Sequence, residues 1–246
     1  MYYSYKYQTN WHDTDPYGYL RPTRILTYMQ ETGNRQCRAC GMDLVALFRR
    51  ERKGFLLSRL RMWMNAPLHA YEELEVQTWC PPSRGLTFLR CFRLLRDGVT
   101  VGEASSTWAF MDANTKSLVR VSDVHADFPM GDPVDEAPLP KPVRLSASLP
   151  METVGQRQIM YSDVDFNGHM NNTRYPDMVC DFLPPEAMAG KWLRQMSLSY
   201  MREAALGDTL SVSRLPVPDR EGAFWLRASG ADGSVCFEAE MDFAGE

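Results

Sequence analysis

The sequence predicts an α+β fold made of two successive copies of one unit, a helix wrapped by an antiparallel sheet. Three observations predict it: the chain repeats itself, strand patterns cluster after a helical pattern instead of alternating with it, and a proline-rich stretch joins the copies.

The repeat opens each copy. Trp11-His-Asp-Thr-Asp-Pro-Tyr-Gly-Tyr-Leu-Arg-Pro-Thr-Arg24 matches Tyr161-Ser-Asp-Val-Asp-Phe-Asn-Gly-His-Met-Asn-Asn-Thr-Arg174 at an offset of 163 − 13 = 150. Asp13/Asp163, Asp15/Asp165, Gly18/Gly168, Thr23/Thr173 and Arg24/Arg174 coincide. A helical pattern follows each segment. Tyr175, Met178, Val179, Phe182 and Leu183 recur at helical spacing, with Ile25, Tyr28 and Met29 at the matching places. Leu57-Ser-Arg-Leu-Arg-Met and Leu74-Glu-Val-Gln-Thr-Trp79 then read as strands, as do residues 195–200 and 210–213, the last matching residues 74–77 at 210 − 74 = 136. Arg96-Asp-Gly-Val and Ala231-Asp-Gly-Ser are hairpin turns between apolar-rich strands. Pro129, Pro133, Pro138, Pro140, Pro142 and Pro150 are six of the 16 prolines and mark an extended linker. The expected division is residues 1–128, a linker at 129–152, and residues 153–246.

Of 246 residues, 44% are hydrophobic and 24% charged, which excludes disordered and fibrous classes. With 27 basic and 31 acidic residues the net charge is −4, so no global basic field holds nucleic acid or an anionic membrane. No apolar run approaches the ~20 residues of a membrane span, and the start lacks the apolar stretch of a signal peptide. A cytoplasmic protein whose six cysteines are free thiols is expected.

A duplicated fold keeps its packing residues twice, whereas a site built once leaves polar residues in one copy only. Asn167 and His169 stand opposite Tyr17 and Tyr19, and Glu203 stands opposite Pro67 at the 136 offset. Asp165, Asn167 and His169 fall at alternate positions, which in an extended turn would direct all three to one side. Asn171-Asn172-Thr173 offers a helix cap beyond them, whose free N–H groups suit a developing oxyanion. His169 can act as general base, Asn167 can hold a ring or a carbonyl oxygen, and the carboxylates can orient the base or activate water. Turn-forming and capping roles for His169 and Asn167 are the alternative.

Asp163-Val-Asp-Phe-Asn-Gly-His-Met-Asn-Asn-Thr-Arg-Tyr175 resembles the signature of the acyl-acyl carrier protein (acyl-ACP) thioesterases. The resemblance extends through Gln30-Glu-Thr, Ala104-Ser-Ser-Thr-Trp-Ala-Phe-Met111, Leu118-Val-Arg-Val-Ser-Asp123 and Leu198-Ser-Tyr-Met-Arg-Glu203. It implies a tandem hotdog fold with a long helix in each half, an acyl pocket in the first half and catalysis in the second. It also implies hydrolysis of fatty acyl-ACP to free fatty acid, without a cofactor, by Asp165, Asn167, His169 and Glu203. Many members of that family carry a cysteine after this glutamate; here the residue is Ala204, so no thiolate attacks from that position. Cys180 lies eleven residues beyond His169 (180 − 169), about 16 Å along a helix. A water or Asp165 is left as nucleophile.

Arg49-Arg-Glu-Arg-Lys53 is the densest basic cluster of an otherwise acidic chain. Arg49, Arg50, Arg52 and Lys53 are therefore candidates for docking the acidic carrier protein, with a solvated loop as the plainer reading. Cys37-Arg-Ala-Cys40 has no second pair and no nearby histidine, which argues against zinc. His12, His69 and His125 lack polar companions and read as surface or capping residues. Met29, Met42, Met62, Met64 and Met111 can line an acyl tunnel or fill the core. An acyl-CoA thioesterase, an enoyl hydratase of the same fold and a non-catalytic acyl-binding module are the rival functions, and a homodimer is a possible assembly.

Overall fold

The computed structural model describes residues 2–124, 141 and 143–245. In the first half, strand β1 (Tyr3–Gln8) leads through a one-turn 3-10 helix (Trp11–Asp13) into helices α1 (Pro22–Ala39) and α2 (Leu44–Glu51). Strands β2 (Lys53–Met64), β3 (Glu73–Trp79), β4 (Phe88–Arg96), β5 (Val99–Asp112) and the short β6 (Ser117–Val119) follow. In the second half, β7 (Glu152–Gln158) and the 3-10 turns Tyr161–Asp163 and Asn172–Arg174 precede α3 (Tyr175–Asp181). Strands β8 (Trp192–Tyr200), β9 (Thr209–Pro216), β10 (Ala223–Ser229) and β11 (Val235–Ala244) complete it. Most of the linker expected at 129–152, and His125, lie outside the described residues.

The strands form one antiparallel sheet in the order β1-β3-β4-β5-β2-β8-β11-β10-β9-β7, with β6 on β5. Read inward from either edge the two halves have the same order, and they meet where β2 pairs β8. Arg61 pairs with Ser197, while Leu60 faces Leu198 and Met62 faces Met196. Because 197 − 61 = 136 is also the repeat offset, a pseudo-two-fold axis passes between Arg61 and Ser197. The halves thus supply to each other the sheet contact that two separate copies would make. One continuous apolar core runs through both, with Met29 and Met62 of the first half and Val179, Met196 and Phe237 of the second all at 0% exposure. Each such side chain contributes roughly 2 kcal/mol of burial.

Helix α1 starts at Pro22, whose fixed φ suits a first helical position, and buries Ile25, Leu26, Tyr28, Met29, Thr32, Gly33, Gln36 and Cys37 along one stripe. A Schellman turn ends it, the Met42 N–H reaching the Cys37 carbonyl at 2.9 Å. The second copy departs from the expected long helix, since α3 has only 7 residues against 18 in α1. Pro176 lies in its first turn and Pro184 follows its end, so the ladder cannot extend. The fall in offset from 150 to 136, a difference of 14 residues, is this shortening together with the loss of an α2 equivalent.

Asp97-Gly98 closes the β4–β5 hairpin with both residues at positive φ, the conformation that a two-residue turn between twisted strands requires. Asp13 and Asp163, the repeated acids, are both buried structural groups. Asp13 accepts from Tyr28 at 2.7 Å and pairs with Arg24 at 2.6 Å, while Asp163 pairs with Arg157 at 2.7 Å.

Candidate active site

Residues 165–169 form a tight turn, not the extended segment that alternation of side chains assumed. The Asp165 N–H reaches the His169 carbonyl at 3.2 Å, the Gly168 N–H reaches the Asp165 carbonyl at 2.9 Å, and Val164 bridges Met170. Gly168 sits at φ 82° and Gly18 at φ 87°, so both copies need glycine at this corner. The side chains take different partners. His169 Nε2 lies 3.2 Å from Glu203 Oε2, both groups partly open to solvent. Asp165 instead folds back, its Oδ1 accepting the Asn167 N–H at 2.9 Å and its Oδ2 the Asn171 Nδ2 at 3.0 Å. Asn167 is exposed at the tip.

Backbone contacts set the Glu203 segment beside the turn. The Met170 N–H reaches the Ala204 carbonyl at 2.8 Å, and His169 forms a β-bridge with Ala205. Asn171 caps the following 3-10 turn, its Oδ1 accepting the Thr173 N–H at 2.9 Å while its Nδ2 holds Asp165. The first copy has the same turn and nothing to make it reactive: Asp15 Oδ1 accepts the N–H groups of Tyr17 and Tyr19, and Tyr19 stacks on His69 at 5.4 Å. Cys180 is desolvated and near Asp177 and Asp181, which together push its thiol far above the ordinary range. It is no nucleophile.

The four basic residues of the 49–53 cluster divide. Arg49 and Arg50 end α2, where cations complement the helix dipole, and are exposed with no ion-pair partner among the described residues. Arg52 instead stacks over Phe48 at 4.3 Å, and Lys53 pairs with Glu51 at 3.0 Å. The cluster therefore spans the end of α2 and the start of β2. Phe48 also meets Phe166 of the 165–169 turn, ring centroids 5.5 Å apart, so α2 of the first half touches the candidate site of the second.

A pocket of about 90 Å³ lies between α1, the start of α2 and the first sheet, walled by Leu44, Phe55, Phe88, Phe92 and Trp108. Among the described residues no methionine walls it; Met29, Met62 and Met64 are in the main core. Arg90 forms its polar side, pinned by Gln36 Oε1 at 2.5 Å and Thr78 Oγ1 at 3.1 Å. Its guanidinium also lies 3.6 Å from the Cys37 sulfur. Burial raises that thiol's pKa against the pull of Arg90, so Cys37 is a protonated helix thiol packed in the pocket wall. The described cysteines are all free.

The model of the acyl-ACP thioesterase N-terminal domain matches residues 1–128, and that of the C-terminal domain matches residues 149–244. The chain belongs to the acyl-ACP thioesterase family. Among curated relatives, oleoyl-acyl carrier protein thioesterase 1 of Arabidopsis thaliana is 27% identical over 85% of this chain and 62% of its own length. Oleoyl-acyl carrier protein thioesterase 2 of the same plant is 29% identical over 63% of this chain and 48% of its own. The chain thus spans about half to three-fifths of these chloroplastic relatives. Two solved structures share the whole fold. An acyl-ACP thioesterase from Bacteroides thetaiotaomicron has a TM-score of 0.86 at 24% identity, covering 99% of this chain and 98% of that one. The 12:0-ACP thioesterase of Umbellularia californica has a TM-score of 0.81 at 14% identity, over 100% and 98%. The tandem hotdog architecture of this family is therefore that of the present chain.

Three features of the site escape the sequence. The tie of Asn171 to Asp165 was hidden because a cap is the ordinary role of asparagine before a helix. Helix α2 was legible in principle: Asp43 caps it through the Ala46 N–H at 2.9 Å, and Leu44, Leu47 and Phe48 repeat at helical spacing. The third is the edge-to-face pair of Tyr175 and Tyr200, ring centroids 5.3 Å apart.

Proposed function

We propose that the protein hydrolyses the thioester of a fatty acyl-ACP, releasing free fatty acid and the carrier's thiol, with Asp165, Asn167, His169 and Glu203 at the site. The observation that carries this reading is the His169–Glu203 pair at 3.2 Å, built only in the second copy, in a chain of this family. Glu203 accepts from the Nε2–H of His169, which fixes the tautomer and leaves Nδ1 as the basic nitrogen. Water attacks the thioester carbonyl carbon and passes its proton to Nδ1. The oxyanion formed takes a hydrogen bond from the side-chain amide of Asn167, exposed at the tip of the turn. Collapse breaks the carbon–sulfur bond, and the imidazolium returns the proton to the departing thiolate.

The apolar pocket of the first half is assigned to the acyl chain, and residues 153–246 to catalysis. The engagement of both Asp165 oxygens favours water over an acyl-aspartyl anhydride, because a carboxylate held by two donors is a poorer nucleophile. Arg49 and Arg50, exposed on a helix that touches the catalytic turn, are assigned to the acidic carrier. No helix among the described residues is long and apolar enough to cross a membrane. A cytoplasmic setting is proposed from the free thiols.

The test is thiol release from a ladder of acyl-ACP and acyl-CoA thioesters by the wild type and His169→Ala. Turnover of the carrier substrates, with a loss of roughly a thousandfold in the variant, supports the reading. Retention of acyl ligand without turnover, or an unimpaired variant, overturns it in favour of acyl binding.

A further inference from the structure

Two tyrosines cross between the chain segments that bring His169 and Glu203 together. Tyr175, just beyond the 165–169 turn, is 3% exposed, with the backbone of Ala204, the neighbour of Glu203, beside its phenol. Tyr200, at the end of the strand leading to Glu203, donates its hydroxyl to the Asn172 carbonyl at 2.9 Å. The rings pack edge to face at 5.3 Å, and both rest on Phe237, at 4.7 Å and 5.2 Å. Burial raises both phenols above their ordinary value, so each remains a neutral hydrogen-bonding group.

The first copy shows what the fold itself requires here. The backbone clasp is common to both halves: the Leu20 N–H reaches the Leu68 carbonyl at 2.7 Å, as the Met170 N–H reaches that of Ala204 at 2.8 Å. At the tyrosine positions, however, the first copy has Ile25 (175 − 150) and Met64 (200 − 136), buried at 3% and 4%. Aliphatic side chains fill the same places, so packing does not call for a phenol. Placing a hydroxyl in an apolar interior is costly unless it is bonded. These two hydroxyls occur only in the copy that holds the imidazole and carboxylate, and that of Tyr200 is bonded to the segment carrying Tyr175.

We infer that Tyr175 and Tyr200 are positioning residues for the His169–Glu203 pair, the Tyr200 hydroxyl tether and the Tyr175 phenol packed beside the Ala204 backbone fixing residues 200–205 against the turn so that the carboxylate meets Nε2. This rests on the catalytic reading given above. A general base must be held within a narrow range of positions, and a displacement of about 1 Å costs up to ~100-fold in rate.

The experiment is a double-mutant cycle: Tyr175→Phe and Tyr200→Phe, each alone and combined with Glu203→Gln, with kcat and KM measured on an acyl-ACP thioester below every variant's melting temperature. Each phenylalanine is expected to lower kcat roughly tenfold with KM within about twofold, and to change kcat by less than about twofold once Glu203 is glutamine. The same tenfold loss in the Glu203→Gln background shows a merely structural role and overturns the inference, as does full kcat in both phenylalanine variants. Tyr200→Phe leaves only a carbonyl without its donor, so it decides the matter if Tyr175→Phe does not fold. An unimpaired Glu203→Gln overturns the catalytic reading itself, and this inference with it.

Discussion

Asn171 Nδ2 donates to Asp165 Oδ2 at 3.0 Å, while the other oxygen of that carboxylate receives the Asn167 N–H at 2.9 Å. Asp165 is thus a fixed part of the 165–169 turn, and its position relative to the imidazole is set by the turn's backbone. In the first copy the residue at the place of Asn171 is Arg21, whose Nε binds the Thr14 carbonyl at 3.0 Å, so Asp15 lacks this partner.

If water is the nucleophile, a single turnover in oxygen-18 water labels the released fatty acid and leaves the Asp165 carboxylate unlabelled. Mass spectrometry of the peptide carrying Asp165 reads this directly. Asp165→Asn, which keeps an acceptor for the Asn167 N–H, should retain measurable turnover, reduced by roughly ten- to a hundredfold. Label on Asp165 would establish an acyl-aspartyl intermediate instead.

Arg49→Glu with Arg50→Glu should raise KM for an acyl-ACP by about tenfold at low ionic strength and leave kcat and a small thioester's KM unaffected. The difference should shrink as salt rises, because exposed charges are screened within about 10 Å at 0.1 M. Equal effects on both substrates would make the pair an ordinary solvated helix end.

Phe88 walls the apolar pocket and packs edge-on against Phe55 at 5.2 Å. Phe88→Leu enlarges the space and should move the preferred acyl chain toward greater length. Each newly buried methylene is worth about 0.8 kcal/mol, or roughly fourfold in kcat/KM. A chain-length profile identical to the wild type would place the acyl chain elsewhere.

Asp13 provides a stability prediction separate from catalysis. Burial alone would raise its carboxyl, but hydrogen bonds from Tyr28 and Asn10 and the charge of Arg24 outweigh it and hold the pKa below the ordinary 3.8. A group depressed in the folded state contributes stability above its ordinary pKa and loses it as pH falls through the folded value. Asp13→Asn should therefore cost about 2 kcal/mol at pH 7, with the gap to the wild type narrowing below that ordinary pKa. Thermal unfolding at neutral and acid pH measures both.

The duplication was legible because glycine corners, buried acids and helical stripes recur where backbone geometry demands them twice. The polar set Asn167, His169 and Glu203 was legible as the breach of that repeat. Alternation failed for residues 165–169, since it presumes an extended backbone and Gly168 at φ 82° turns the chain back on itself. The second helix came out shorter than its apolar pattern suggested, because Phe182 and Leu183 continue the stripe into a segment that Pro184 and Pro185 cannot keep helical.

By itself the sequence determined the α+β class, the two copies, the hairpin turns and the residues that set the second copy apart, all of which rest on contacts or conformations local along the chain. Tertiary structure alone decided which of those residues meet. His169 found Glu203, Asp165 found Asn171, and Phe48 crossed from one half to touch Phe166 of the other. Such pairings depend on strand register and on the seam between β2 and β8, and sequence spacing carries no information about the distance between side chains brought together by a sheet.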